Sequence, residues 1–200
     1  MSVRTSRSRA ALLAAGAAAL TLVLSACSGG GIQGGGGGTG FVAGSDGIAT
    51  VKKGDRATAP TLSGKTIDGG TLDVASQYKG KIVVLNVWGS WCPPCRAEAP
   101  NFVKVSADLA DQGVQFVGIN TRDTSTRPAQ AFEDEFKVTY PSLYDPTGKL
   151  LLRFEKGALN PQMIPSTLVV DRDGKLAARA QKPLTEELLR KMLKPILAEK

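Results

Sequence analysis

Cys92 and Cys95 stand three apart in VWGSWCPPCRAEAP, residues 87–100, and the 200-residue chain has one other cysteine, Cys27. Such a pair could be a structural staple, half of a metal site, a haem anchor or a redox couple. Structural zinc takes four nitrogen or sulfur ligands, usually as two pairs, and here there is no histidine and a single further cysteine. Haem attachment needs a histidine directly after the second cysteine, and residue 96 is arginine. The same lack of histidine removes histidine-dependent copper sites and the Cys-His and Ser-His-Asp hydrolases. As a staple the pair is poor, because so short a loop takes little entropy from the unfolded chain. Thiol exchange suits the spacing: one thiolate attacks a disulfide, and the second, within a helical turn, resolves the mixed disulfide.

A working pair needs elements that present one sulfur and shelter the other. Residues 82–88, IVVLNVW, predict a central strand buried on both faces. Residues 95–110 have helical spacing interrupted by Pro100, and residues 114–120, VQFVGIN, predict a second buried strand. Strand, helix and strand in that order predict a parallel pair. Cys92 then follows a strand and precedes a helix, where free N–H groups and the helix dipole favour a thiolate. Pro93 and Pro94 lack N–H groups, so the predicted lowering of the Cys92 pKa is modest. Cys95, one turn inside the helix, is predicted to be the more buried, resolving thiol.

Elsewhere, turn signals within 61–72 predict a short hairpin. Residues 126–137 predict a helix capped by Thr126 with Pro128 in its first turn, residues 140–144 a short strand, and residues 149–154 a helical turn. Residues 167–171 and 175–180 flank Arg172-Asp173-Gly174 and predict a hairpin. The last helix is capped by Thr185, carries an apolar stripe of Leu188, Leu189, Met192, Leu193 and Ile196, and is kinked by Pro195. This order predicts an α/β sheet with helices on both faces.

The N-terminal region reads differently. Arg4, Arg7 and Arg9 precede an apolar run over residues 10–24, and Leu24-Ser25-Ala26-Cys27 follows. Basic, apolar, then small is the order of a secretory signal, and the run is short for a membrane span. A cysteine after Leu-Ser-Ala resembles a bacterial lipobox, which implies cleavage ahead of Cys27 and lipid on its sulfur and new N-terminus. Residues 27–50 are predicted to be a Gly-rich membrane tether, and residues 54–200 the folded domain. About 20 residues of such coil reach roughly 25 Å. A GxGxxG match at residues 29–34 has no strand before it or helix after it and is accidental. The formal charge of +7 falls to +4 without residues 1–26, since 22 basic face 18 acidic residues. No basic tract remains, so nucleic acid is not an expected partner.

Residues 54–197 resemble the TlpA/ResA-like (DsbE-like) branch of the thioredoxin fold, which contains membrane-tethered, extracytoplasmic thiol-disulfide oxidoreductases. The residues that carry this are VLNVWGSWCPPCRAEAP at 84–100, Tyr78-Lys79-Gly80-Lys81 and Ile164-Pro165-Ser166-Thr167. The resemblance implies a central mixed sheet flanked by helices, with an N-terminal hairpin and a central αβ insertion. Pro165 matches the family's cis-proline beside the disulfide, leaving the Ile164 backbone free to pair with a substrate strand. Trp91, Pro93 and Pro94 are the other implied substrate contacts, while Trp88 and Pro100 are structural. Many thioredoxins bury an acid six residues before the first cysteine, and here Asn86 stands there. Glu98, three residues past Cys95 on the same helical face, is the implied acid-base group, and burial would raise its pKa.

The resemblance further implies protein disulfide substrates, apocytochrome c among them, a membrane electron donor of CcdA/DsbD type, a monomer and no cofactor. Reduction is the first expected direction. An oxidase or isomerase on the same residues is the alternative, because direction follows potential and partners. A peroxidase needs Thr or Ser at residue 89, which is glycine. A non-catalytic lipoprotein scaffold would show no thiol exchange at all.

Overall fold

The computed structural model describes residues 39–199. In chain order these form β1 (Val42–Ala43), β2 (Ile48–Thr50), β3 (Ser63–Lys65), β4 (Thr71–Asp73), α1 (Val74–Gln77) and β5 (Ile82–Trp88). There follow α2 (Pro93–Leu109), β6 (Val114–Thr121), α3 (Thr126–Phe136), β7 (Ser142–Asp145), β8 (Ser166–Val170), β9 (Leu176–Ala180) and α4 (Glu186–Leu197). One sheet runs β1-β2-β9-β8-β5-β6-β7, and β3 pairs with β4 apart from it.

The apolar run at 82–88 is the middle of that sheet, with every residue of β5 buried. β6 lies parallel to β5, and β8 antiparallel to it. Period-two alternation along β5 splits the core. Val83, Leu85 and Val87 join Val117, Ile119 and Leu168 on one face, while Ile82 and Val84 join Phe102, Val105, Met192 and Leu193 beneath α2 and α4 on the other. Each fully buried residue of this size contributes roughly 2 kcal/mol. Asn86 breaks the alternation, a polar residue 6% exposed on the helix-covered face.

The predicted elements are present, with local differences. α2 is continuous through Pro100, which stands eight residues into a 17-residue helix. α3 has Ser125 rather than Thr126 at its cap position, without a side-chain cap bond. α4 is capped as expected, Thr185 Oγ1 accepting from Leu188 N at 3.3 Å.

The boundary expected between tether and folded domain is the larger correction. Residues 42–50, expected to be coil, form the β1–β2 hairpin, and β2 pairs antiparallel with β9. The hairpin turns at Gly44-Ser45-Asp46-Gly47, with Asp46 Oδ1 accepting from Ile48 N at 3.0 Å. Ile48 and Ala49 are buried, and the Arg179 guanidinium sits 4.7 Å from the Phe41 ring centroid. The segment covers what would otherwise be an open sheet edge. Its turn signal was present in the sequence beside a glycine tract that masked it.

Candidate functional site

β5 and β6 end at the same edge of the sheet because they are parallel, and antiparallel β8 begins there, with Ser166 opposite Val87. The turn leaving β5, the turn leaving β6 and the segment entering β8 therefore converge. Crevices beyond the carboxyl ends of parallel strands are where open α/β sheets bind ligands.

Cys92 and Cys95 form a disulfide at that edge, with Cα atoms 5.3 Å apart. Cys92 N donates to Gly89 O at 3.1 Å, closing the turn that brings the chain from β5 into α2. Cys92 is the N-cap of α2, its Sγ accepting from Cys95 N at 3.3 Å, and Pro93 and Pro94 fill the first two helical positions. The missing proline N–H groups leave the Cys95 amide as the donor to Cys92 Sγ, in keeping with a restrained stabilisation of the thiolate.

Cys95 is 1% exposed, and Cys92, expected to be the more open sulfur, is 2% exposed in this disulfide form. Both pack in a cluster with Ile67, Trp88, Ala99, Ala129 and Phe132, against which half-buried Ile164 also rests. The Ile164–Pro165 peptide bond is cis. Trp91 is 48% exposed and donates from Nε1 to Thr121 O at 3.4 Å. Pro93 is exposed and Pro94 half-buried.

Glu98 lies one turn beyond Cys95 and is 2% exposed. Its Oε1 accepts from Asn86 Nδ2 at 2.9 Å and its Oε2 from Leu184 N at 2.9 Å. Burial drives its pKa up to about 7, against the lowering pull of those two hydrogen bonds. Asn86 is thus the partner that orients the carboxylate. It also lines, with Cys95, Trp88, Ala99, Phe132, Val138 and Tyr140, a cavity of about 10 Å³, the room of one water. Burial, then the charges of Glu98 and Glu133, push the Tyr140 hydroxyl well above the usual tyrosine range.

Sequence reasoning passed over Asn86 as a partner, the Leu184 amide and Asp123. Asp123 is 4% exposed and takes hydrogen bonds from Ser90 in the turn ahead of Cys92. Asn86 was readable once β5 was in place, since an amide on the inward face of a buried strand needs a polar partner. Leu184 and Asp123 come from distant stretches with no periodic signal. Cys27 and the signal segment lie outside the described residues.

The Redoxin family model matches residues 52–194. The chain belongs to the Redoxin family. Over 120 residues it is 38% identical to the thiol:disulfide interchange protein HelX of Rhodobacter capsulatus, covering 60% of this chain and 62% of that protein. It is 29% identical to the thiol-disulfide oxidoreductase ResA of Geobacillus thermodenitrificans over 60% of this chain and 66% of that one. The chain thus spans just under two thirds of the length of these curated relatives. Among solved structures, a DsbF homologue from Corynebacterium diphtheriae is 34% identical with a TM-score of 0.69, covering 76% of this chain and 94% of its own. A secreted thiol-disulfide isomerase from Corynebacterium glutamicum is 30% identical with a TM-score of 0.71, covering 82% and 100%. The fold of this redoxin domain is thioredoxin-like, and its Cys92–Cys95 pair stands at the site edge of that fold.

Proposed function

We propose that the chain is an extracytoplasmic thiol-disulfide oxidoreductase that reduces disulfides of secreted proteins. The observation that carries this is the Cys92–Cys95 disulfide at the N-terminus of α2, beside the cis Ile164–Pro165 bond. In the reduced enzyme the Cys92 thiolate attacks one sulfur of a substrate disulfide, forming a mixed disulfide and releasing the other sulfur as a thiolate. The Cys95 thiol then gives its proton to the Glu98 carboxylate and attacks Cys92 Sγ. The second substrate thiolate leaves, and two electrons have passed from the cysteine pair to the substrate. Glu98 suits this task because a carboxyl with a pKa of about 7 both takes and returns a proton near neutrality. A water in the cavity shared by Cys95 and Asn86 would span the path.

Trp91, Pro93, Pro94 and the Ile164 backbone form the surface a substrate strand meets. Residues 1–26 act as the secretory signal, lipid on Cys27 holds the protein at the membrane, and the glycine-rich segment ahead of the hairpin is the tether. The names of HelX and ResA support thiol-disulfide exchange. The reductive direction, apocytochrome c as one substrate and a membrane donor of CcdA/DsbD type restoring the dithiol are what the TlpA/ResA-like resemblance implies. The resemblance to a secreted isomerase favours a second reading, oxidation or isomerisation on the same residues.

The Cys92/Cys95 reduction potential separates the two. A value near that of thioredoxin, about −270 mV, is expected for the reductant, and one near −120 mV, as in strong oxidants, overturns the reductive direction.

A further inference from the structure

We propose that the turn between β6 and α3 is a bracket setting both walls of the exchange site: Asp123 positions the turn carrying Cys92, and Arg122 positions the segment entering the cis-proline. This rests on the reading of Cys92 as the attacking thiol. Asp123 Oδ2 accepts from Ser90 N at 2.9 Å and from Asn120 Nδ2 at 2.6 Å, and its Oδ1 accepts from Ser90 Oγ at 2.5 Å. All three donors are neutral, so the buried carboxylate acts as a clamp, accepting three hydrogen bonds, rather than as half of an ion pair. Two of them lie on Ser90, inside the Gly89-to-Cys92 turn. At the end of β6, just ahead of the bracket, Thr121 O accepts from Trp91 Nε1, and Tyr144 Oη secures the bracket by donating to Asp123 O at 3.0 Å. Gly89 is required beneath this arrangement, since a Cβ there would stand 2.6 Å from Trp91 Nε1.

Arg122 faces the other wall. Its Nη2 donates to Pro161 O at 2.8 Å and to Gln162 Oε1 at 3.1 Å, three to four residues ahead of Pro165. It does so from a left-handed backbone, φ 61°, a conformation that glycine adopts far more readily than arginine. Arginine there keeps a costly conformation in exchange for a side-chain tie across the mouth. Neighbouring residues of one short turn thus hold the nucleophile's turn and the substrate-pairing segment in register.

The test is steady-state reduction of insulin disulfides by the purified full-length chain in detergent. Asp123→Asn turns a donor toward Ser90 or Asn120, and kcat is expected to fall about tenfold with KM within twofold. Ser90→Ala removes one of the Ser90 ties and is expected to lower kcat about threefold. Arg122→Gly adopts the left-handed backbone without strain and loses only the tie, so KM is expected to rise about fivefold with kcat within twofold. Iodide quenching reads the turn directly, because Trp91 is 48% exposed and the only other tryptophan, Trp88, is 3% exposed. Quenching is expected to increase in Asp123→Asn. If that variant fails to fold, Ser90→Ala and Arg122→Gly carry the test. An active wild type with Ser90→Ala and Arg122→Gly at wild-type kcat and KM overturns the bracket alone. A wild type no more active than Cys92→Ser overturns the oxidoreductase reading beneath it.

Discussion

Glu98 carries a pH signature that can be measured on the oxidised protein, where the cysteine pair does not titrate. Its pKa rises from 4.5 to about 7 on folding because the carboxyl is buried. Between those values the unfolded chain gives up this proton while the folded protein keeps it. The native state binds more protons, so stability falls as pH rises through the window and levels off on either side. A shift of this size corresponds to about 3 kcal/mol between pH 4.5 and 8.

The perturbation is Glu98→Gln, which cannot titrate. A half turn of the Asn86 amide lets the new amide donate to Asn86 Oδ1 while its oxygen still accepts from Leu184 N, so both contacts survive in kind. Urea unfolding of oxidised wild type and variant at pH 4.5 and pH 8 isolates Glu98 in the difference between the two proteins. With an m-value of about 2 kcal/mol/M, the wild-type midpoint should drop about 1.5 M more than that of the variant on going to pH 8. Parallel pH dependence in the two proteins would refute the reasoning, since Glu98 would then titrate alike folded and unfolded.

Two structural predictions test the scaffold. Arg56 donates to Asp171 at 2.8 Å and to both Glu199 carboxylate oxygens, with its side chain 5% exposed. Arg56→Met should cost about 3–5 kcal/mol in urea unfolding because Asp171 is left buried beside an apolar chain; a loss below 1 kcal/mol would show the network to be dispensable. Gly118 of β6 lies so close to its neighbours that a Cβ would overlap Ser142 and stand 2.6 Å from Trp88 Nε1. Gly118→Ala should therefore destabilise by about 1–3 kcal/mol and alter the near-ultraviolet signal of Trp88, and an unchanged melting temperature would contradict that packing.

The parts of this protein that were legible beforehand are those whose signal is local or periodic. β5 announced itself as a buried apolar run, β8–β9 by the Asp-Gly turn between them, and α4 by its cap and stripe. The cysteine pair was legible by elimination, because the chain has no histidine. Glu98 required knowledge of which helical face meets the core, and the resemblance supplied it. The β1–β2 hairpin was hidden because four turn residues next to a glycine tract read as more of the same coil. Asp123, Arg122 and the Leu184 amide were hidden for a different reason. Each acts on residues 33 to 86 positions away, and nothing in a local window records which turns a parallel sheet gathers at one edge.

The most direct measurement of the central claim is substrate trapping with Cys95→Ser in the full-length chain. Once Cys92 has attacked a substrate, no resolving thiol remains, so mixed disulfides should accumulate. Mass spectrometry of the adducts should map them to Cys92, reduction should release secreted proteins that carry disulfides, and Cys92→Ser combined with Cys95→Ser should yield none. Adducts absent from Cys95→Ser, or as abundant in the double variant, would contradict thiol exchange through Cys92.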